Sequence, residues 1–196
     1  MRVVLASQSR QRTALLDQIG IEHIVYPVDV DEERYFAEPK RYRTTIRALA
    51  LAKAKAASAH CKDALVIGAD TVVYSQGRIY GKPSDADDAR MTLRSLSGRK
   101  HIVATGVGVI DTESGVERTA VAESEVYFNR LTCADIEWYL MSGEPMERAG
   151  AYAIQGRGAV LIRKIAGSYS NIVGLPLELV VSMLRSLGYA LEGDRR

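Results

Sequence analysis

The chain has 196 residues, of which 47% are hydrophobic, and its 26 lysines and arginines against 24 acidic residues leave a net charge of +2. This size and composition predict one domain, over residues 1–196, whose core forms without disulfides or structural metal. The near-neutral charge gives no reason to expect a nucleic acid or membrane partner. Two cysteines without CxxC spacing and the lack of a membrane-spanning apolar run favour a cytoplasmic protein.

The first third of the sequence predicts a strand, a helix, a second strand and a longer helix. Residues 3–6 are typical of a buried strand, and Ser9 is placed to cap a helix that ends before Gly20. We expect a strand over 24–28 and then a polar loop. The helix that follows covers 45–60, because its apolar residues repeat at helical spacing.

The middle of the sequence predicts a buried strand that ends on an acid. The apolar run 65–69 leads into Asp70, and extended structure continues after it. Ser84 is expected to cap a helix with acidic residues in its first turn, where the helix dipole favours them. The runs 102–110 and 116–128 predict a hairpin.

The last third predicts a helix from Thr132, a strand over 160–165 and a final helix between Pro176 and Gly188. Helices interspersed with strands, two of which form a hairpin, favour an α/β fold with a mixed, twisted sheet flanked by helices. The glycine pairs of the chain lack dinucleotide-binding or Walker spacing, which disfavours a kinase-like NTPase.

Asp70 is the strongest candidate for chemistry, since a carboxylate after so apolar a strand needs a cationic partner or a metal to remain ionised. An N-cap or turn-forming aspartate is the alternative. Lys82, between Gly81 and Pro83, suits a phosphate contact, and an ordinary exposed lysine is the alternative. Glu32 offers an oxygen ligand for Mg²⁺ or Mn²⁺, although most acidic runs are solvated loops.

The start of the first helix is a candidate phosphate site. Arg10 and Arg12 lie in its first turn, where a cation is unfavourable unless an anion binds, and Ser7 precedes it. Solvated surface arginines are the alternative. The three histidines are scattered and predict structural roles rather than a metal cluster or a catalytic triad.

The whole chain resembles the Maf family of nucleoside triphosphate pyrophosphatases, also described as septum formation inhibitors. The resemblance runs from Val4 to about Gly188. Its motifs include Leu5-Ala6-Ser7 with Ser9 and Arg12, Asp31-Glu32, Lys53-Ala54, Gly68-Ala69-Asp70-Thr71, Gly81-Lys82-Pro83, Leu96-Ser97-Gly98 with His101, Ala149-Gly150-Ala151-Tyr152, Ile154-Gln155-Gly156 and Gly174-Leu175-Pro176.

The resemblance implies an inosine triphosphatase-like, two-lobed fold with a central cleft. It also implies metal-dependent hydrolysis of a nucleoside triphosphate to the monophosphate and pyrophosphate, with Asp70 as general base. The cofactor would be Mg²⁺ or Mn²⁺ on Glu32 and Asp70, and the enzyme could form a homodimer by analogy with the family. The residues expected to contact phosphates or complete the polar site are Lys53, Lys82, Arg12 and Ser7.

Family members that act on dTTP and UTP carry residues equivalent to Thr71 and Gln155, so the resemblance implies this pyrimidine preference. The chain departs from the family at Gln11, which replaces an arginine associated with pyrimidine specificity, and Arg10 is the neighbour that would compensate. Two alternatives remain open. One is the same reaction on 7-methyl-GTP or a broad range of triphosphates, and the other is a non-enzymatic nucleotide-binding regulator of cell division.

Overall fold

The computed structural model of the chain describes residues 1–32, 35 and 38–191. The strands are β1 (Arg2–Ala6), β2 (His23–Val25), β3 (Ala64–Ser75), β4 (Arg78–Tyr80), β5 (Lys100–Asp111), β6 (Glu117–Phe128) and β7 (Ile162–Ala166). The helices are α1 (Arg10–Gln18), α2 (Tyr42–Ser58), α3 (Ala86–Leu96), α4 (Cys133–Leu140), α5 (Tyr169–Val173) and α6 (Leu177–Ser186). Short 3-10 helical turns cover Pro39–Arg41, Glu144–Glu147, Ala149–Ala151 and Gly156–Leu161.

The strands form a mixed sheet in the order β2-β1-β3-β5-β6-β7, with β4 paired to β3. β1 is parallel to both β2 and β3, whereas β4 is antiparallel to β3 and β7 is antiparallel to β6. The predicted hairpin is present as β5 and β6, whose turn is closed by a hydrogen bond from the Asp111 N–H to the Val116 carbonyl. The predicted α/β fold with a mixed sheet is therefore confirmed.

Asp70 lies inside a strand rather than at its end. The sequence predicted a buried strand over 65–69 that ends on Asp70 and further extended structure after it, whereas β3 runs without a break from Ala64 to Ser75. Two features explain the difference. The residues after Asp70 are β-branched, and β3 gains a partner there because Val73 pairs with Tyr80 of β4.

Several predicted boundaries also differ from those observed. The N-cap of α3 is Asp85 rather than Ser84, and its carboxylate accepts the Asp88 N–H at 2.8 Å. Ser9 occupies the N-cap position of α1, but its side chain makes no capping hydrogen bond. β2, predicted over 24–28, covers only His23–Val25, and α2 begins at Tyr42, within the segment expected to be a loop.

The chain divides into two compact units. The first contains Met1–Asp70, Thr105–Ala122 and the residues from Gly174 onward, and the second contains Thr71–Ala104 and Glu123–Val173. A cluster in the first unit buries Val4, Ala6, Ala54, Ala57, Ala64, Val66 and Ile110. The core of the second includes Leu93, Phe128, Ile136, Tyr139 and Tyr152. The single-domain assignment and the central cleft stay predictions.

Within the first unit, α2 lies directly against glycines of the sheet. A Cβ atom added at Gly68 would lie 2.1 Å from the Ala50 carbonyl oxygen and 2.6 Å from the Ala54 nitrogen. One added at Gly106 would lie 2.3 Å from the Ile46 carbonyl oxygen. Because real Cβ atoms do not approach backbone this closely, side chains larger than hydrogen are excluded at both positions.

The part of the chain that the structure describes contains no helix long and apolar enough to cross a membrane.

Candidate functional site

The first unit contains a buried lysine between two carboxylates. Lys53 Nζ lies 2.7 Å from Asp70 Oδ1 and 2.7 Å from Glu32 Oε1. Asp70 is 7% exposed and Lys53 9% exposed, whereas the Glu32 side chain is 54% exposed. Lys53 reaches Asp70 because it lies on the buried face of α2, whereas Lys55 lies on the exposed face. The structure thus brings three predicted site residues together.

The surroundings of Asp70 change its acidity in opposing ways. Burial raises the pKa of its carboxyl above the usual range, since the charged form loses hydration. The positive charges of Lys53 and Arg12 limit this rise, and the hydrogen bond from Lys53 acts in the same direction. A carboxylate that is harder to ionise than usual is a stronger proton acceptor once it is ionised.

Arg12 joins the start of α1 to the segment before α6. Its Nη1 donates to Ser7 Oγ at 3.0 Å, and its Nε donates to the Gly174 carbonyl oxygen at 2.8 Å. Ser7 Oγ also accepts the Ser9 N–H at 3.2 Å. Burial lowers the pKa of Arg12, while the negative charges of Asp70 and Glu32 act to raise it.

The two residues next to Arg12 at the start of α1 have different surroundings. Gln11 is half-buried, and its Oε1 accepts a hydrogen bond from Ser9 Oγ at 3.3 Å. Arg10 is exposed. The amide oxygen of Gln11 therefore already accepts a hydrogen bond from a neighbouring side chain at the start of α1.

The remaining predicted residues belong to the second unit. Lys82 is exposed, and the preceding Gly81 carbonyl accepts the Gly150 N–H at 3.0 Å. Thr71 is half-buried in β3, next to Asp70 in sequence. Gln155 is exposed at the start of a 3-10 helical turn. The roles expected for Lys82, Thr71 and Gln155 stay predictions.

The carboxylates of the first unit are suited to a divalent cation. Asp70 and Glu32 both direct an oxygen to the Lys53 ammonium, so their oxygens already converge on one cationic group. Among the described residues no cluster of three or more histidine, cysteine or acidic side chains could hold a metal. Mg²⁺ is commonly held by one or two carboxylates together with water and substrate phosphates, and this donor set fits that pattern.

The histidines have contacts typical of structural residues. His101 is buried in β5, with its Nε2 2.7 Å from the Tyr152 hydroxyl and its ring edge-on to Phe128. Burial lowers the pKa of His101 to about 4, so the ring is neutral at pH 7. His60 stacks on Tyr26 in the other unit.

Sequence reasoning missed the role of Gly174. Its carbonyl oxygen accepts from Arg12, which lies 162 positions earlier in the chain. A backbone acceptor carries no side-chain signal, and only the fold reveals such a contact. The motif Gly174-Leu175-Pro176 was part of the resemblance, but it pointed to no specific partner.

Comparison with known proteins identifies the family. The model of the family described as "Maf-like protein" matches residues 2–187. The chain belongs to this family. This Maf-like protein is 46% identical over 196 residues to a dTTP/UTP pyrophosphatase of Anaeromyxobacter dehalogenans (strain 2CP-1), covering 99% of this chain and 98% of the relative. A protein of the same name from Moorella thermoacetica is 45% identical over 192 residues, with 98% of each chain covered.

The solved structure of a HAM1 protein from Coxiella burnetii has a similar fold. Its TM-score to this Maf-like chain is 0.51 at 17% sequence identity, and the match covers 95% of this chain and 99% of that one. This likeness supports the α/β architecture over nearly the whole length of the protein.

Proposed function

We propose that this Maf-like protein hydrolyses dTTP and UTP to the monophosphate and pyrophosphate. The observation that carries the proposal is the buried Asp70, held at 2.7 Å from Lys53 in the interior of β3. The names of the relatives from Anaeromyxobacter and Moorella support the choice of these two substrates. Modified pyrimidine triphosphates would be natural further substrates.

Asp70 acts as the general base in this proposal. Its carboxylate accepts a proton from the attacking water as the new phosphorus–oxygen bond forms and the anhydride bond between the α and β phosphates breaks. The raised pKa of Asp70 strengthens it as a base, and the Lys53 ammonium keeps it ionised. Lys53 and Arg12 supply positive charge for the triphosphate, and Ser7 orients the Arg12 guanidinium.

Asp70 and Glu32 would hold the divalent cation, Mg²⁺ or Mn²⁺. Such an ion supplies Lewis-acid polarisation and neutralises charge that develops on the phosphate oxygens. Lys82 is expected to contact the phosphates, and Thr71, Gln155 and Gln11 to contact the rest of the nucleotide. These assignments follow from the motifs in which the residues occur.

Pyrophosphate release from dTTP, UTP, CTP, GTP and 7-methyl-GTP, with Mg²⁺ or Mn²⁺, tests the proposal. We expect dTTP and UTP to be the preferred substrates, with much slower turnover of CTP, GTP and 7-methyl-GTP. Asp70→Asn should lower turnover of dTTP and UTP by about 10²- to 10⁴-fold, the usual contribution of a positioned base, while triphosphate binding persists. Turnover of 7-methyl-GTP alone would overturn the substrate assignment, and equal turnover by wild type and Asp70→Asn would overturn the assigned base.

A cytoplasmic location and a homodimer belong to the same proposal. The cytoplasmic location is supported by Cys61 and Cys133, which are both free thiols, as expected in a reducing compartment. Sedimentation of the purified protein tests the second, and a single monomeric species at micromolar concentration would contradict it.

A further inference from the structure

The carboxylate of Glu144 binds the backbone of the segment that contains Gln155. Its Oε1 accepts the Arg157 N–H at 3.0 Å, and its Oε2 accepts the Gly158 N–H at 3.2 Å. Consecutive N–H groups directed at one anion form a nest of backbone donors. Here the anion is part of the protein, so this nest fixes the chain rather than recruiting a ligand.

Two glycines in the segment from Ala153 to Gly158 lie very close to neighbouring atoms. Gly156 has a φ of +63°, and a Cβ added there would lie 2.6 Å from Glu144 Oε1. A Cβ added at Gly158 would lie 2.2 Å from the Ala153 carbonyl oxygen. The backbone after Gln155 therefore lies directly against the Glu144 carboxylate, and Gly158 packs against the backbone of Ala153.

Glu144 is positioned by the end of α4. Its N–H donates to Ser142 Oγ at 3.1 Å, and Ser142 Oγ donates to the Tyr139 carbonyl oxygen at 2.6 Å. The Tyr139 hydroxyl accepts the Ala153 N–H at 3.0 Å. One helix end therefore fixes both the start of the segment and the acid that holds its far side.

The Gln155 side chain is exposed and makes no cap hydrogen bond to the turn that follows. Its amide offers both donors and an acceptor, which match the alternating groups on the edge of a uracil or thymine ring. Hydrogen-bond discrimination of this kind requires the side chain to start from a fixed backbone.

We propose that Glu144 is a positioning residue, which holds the backbone of Gln155 so that this glutamine discriminates the pyrimidine ring of the substrate. The inference rests on the proposed function, since it names a determinant of the preference for UTP and dTTP. Glu144 touches no substrate in this account and acts only through Gln155.

The test is a double-mutant cycle on the ratio of kcat/KM for UTP to that for CTP. Glu144→Ala and Gln155→Ala should each lower this ratio about tenfold, the equivalent of one hydrogen bond. The double variant should be no lower than Gln155→Ala alone, because Glu144 acts through that side chain. Glu147→Ala is the matched control, since Glu147 is an exposed acid in the same 3-10 helical turn, and it should leave the ratio unchanged.

Amide hydrogen exchange over residues 153–158 supplies a readout independent of activity. Exchange should rise in Glu144→Ala and stay at the wild-type rate in Glu147→Ala. Glu144→Gln retains one acceptor oxygen and should restore part of both the protection and the UTP preference. An unchanged UTP to CTP ratio in Glu144→Ala, or additive losses in the double variant, would overturn the positioning role.

The wild-type assay separates this inference from the function on which it rests. If wild type favours UTP and Glu144→Ala retains the same ratio, the proposed function stands and the positioning role fails. If wild type hydrolyses no pyrimidine triphosphate, both fail, whatever the exchange rates show.

Discussion

Lys53 and Lys55 lie two residues apart on α2 and have opposite surroundings. Lys53 is buried between Asp70 and Glu32, whereas Lys55 is half-exposed in a surface ion pair with Glu117. Removing one partner of a buried ion pair leaves an uncompensated charge and typically costs about 3 to 5 kcal/mol. A surface pair contributes about 0 to 1 kcal/mol.

Lys53→Met is therefore expected to lower the free energy of unfolding by about 3 kcal/mol, and Lys55→Met by less than about 1 kcal/mol. Urea unfolding at pH 7 measures both, and the two variants have the same change in side chain on the same helix. Equal losses would mean that Asp70 gains another counterion or becomes protonated when Lys53 is absent.

His101 predicts a pH dependence of stability. Its pKa is about 4 in the folded protein, because it is buried, and near 6.5 when unfolded. Between these values the unfolded state binds the proton and the folded state does not, so stability falls as the pH is lowered from 6.5 to 4. The full loss from this residue is about 3 kcal/mol.

The variant His101→Gln isolates this contribution, since glutamine keeps a hydrogen-bonding group near Tyr152 but does not titrate. Its free energy of unfolding should fall less steeply than that of wild type between pH 6.5 and 4. Parallel curves for the two proteins would show that His101 accepts its proton without unfolding.

Residues of the candidate site were predictable from sequence to different degrees. Asp70 was identifiable because an acid in an apolar run needs a partner, and the structure supplies one in Lys53. The pairing of Lys53 with Asp70 was not predictable, because 17 positions separate the two residues. The carbonyl of Gly174 was unpredictable, since every residue carries the same backbone acceptor.

At the scale of elements, the contact between α2 and the sheet depends on glycine. Gly68→Ala should lower the free energy of unfolding by about 3 kcal/mol or more, because its Cβ would overlap the backbone of α2 at Ala50 and Ala54. Thermal and urea unfolding measure the effect.

Gly81→Ala provides the control, since an added Cβ there meets no atom within 4 Å. It should change the free energy of unfolding by less than about 0.5 kcal/mol. A loss at Gly68 no greater than at Gly81 would mean that α2 moves away from β3 at little cost.

Element types were more predictable than element ends. A buried apolar run indicated β1, helical spacing indicated α2, and two extended runs indicated the hairpin of β5 and β6; all of these are present. The extended structure after Asp70 was predicted correctly, but Asp70 as the end of the strand was wrong, because pairing with β4 makes the two parts one strand and such pairing depends on a second segment of chain. The cap of α3 was wrong because Ser84 and Asp85 are both good N-caps, and only the backbone geometry decides between them.

At the scale of the whole molecule, substrate binding should raise thermal stability by mass action. A UTP analogue with nitrogen in place of the oxygen between the α and β phosphates would bind without being hydrolysed. At a concentration a hundredfold above its Kd, with Mg²⁺ present, it should stabilise the protein by about 2.7 kcal/mol. This corresponds to an increase in Tm of roughly 5 to 10 °C for a chain of this size.

Differential scanning fluorimetry measures this increase, and a chelator added with the analogue should reduce it. Lys82→Ala should reduce it as well if Lys82 contacts the phosphates, while leaving the Tm of the free protein unchanged, because this lysine is exposed. An equal shift with the corresponding analogue of GTP would contradict pyrimidine preference at the level of binding.

The family match covers residues 2–187 and so concerns the whole molecule, whereas hydrophobic periodicity and motif spacing each describe a short segment. Net charge and composition limited the classes of partner but did not indicate a substrate. The two compact units could not be derived from periodicity, because the divisions at 70/71, 104/105 and 122/123 fall inside β3, β5 and β6.

The close contact between Gly68 and α2 also affects how a mutational scan of this protein would be interpreted. Gly68 lies two positions before Asp70, and the backbone nitrogen against which it packs belongs to Ala54, the neighbour of Lys53. A methyl group at Gly68 would push α2 away from β3 and so move Lys53 away from Asp70. Their hydrogen bond is 2.7 Å long, and lengthening it by about 1 Å would break it. An activity screen would therefore score Gly68 among the most sensitive positions, although it has no functional group, and a measurement of folding would separate it from Asp70, whose Asp70→Asn variant is expected to keep binding triphosphate.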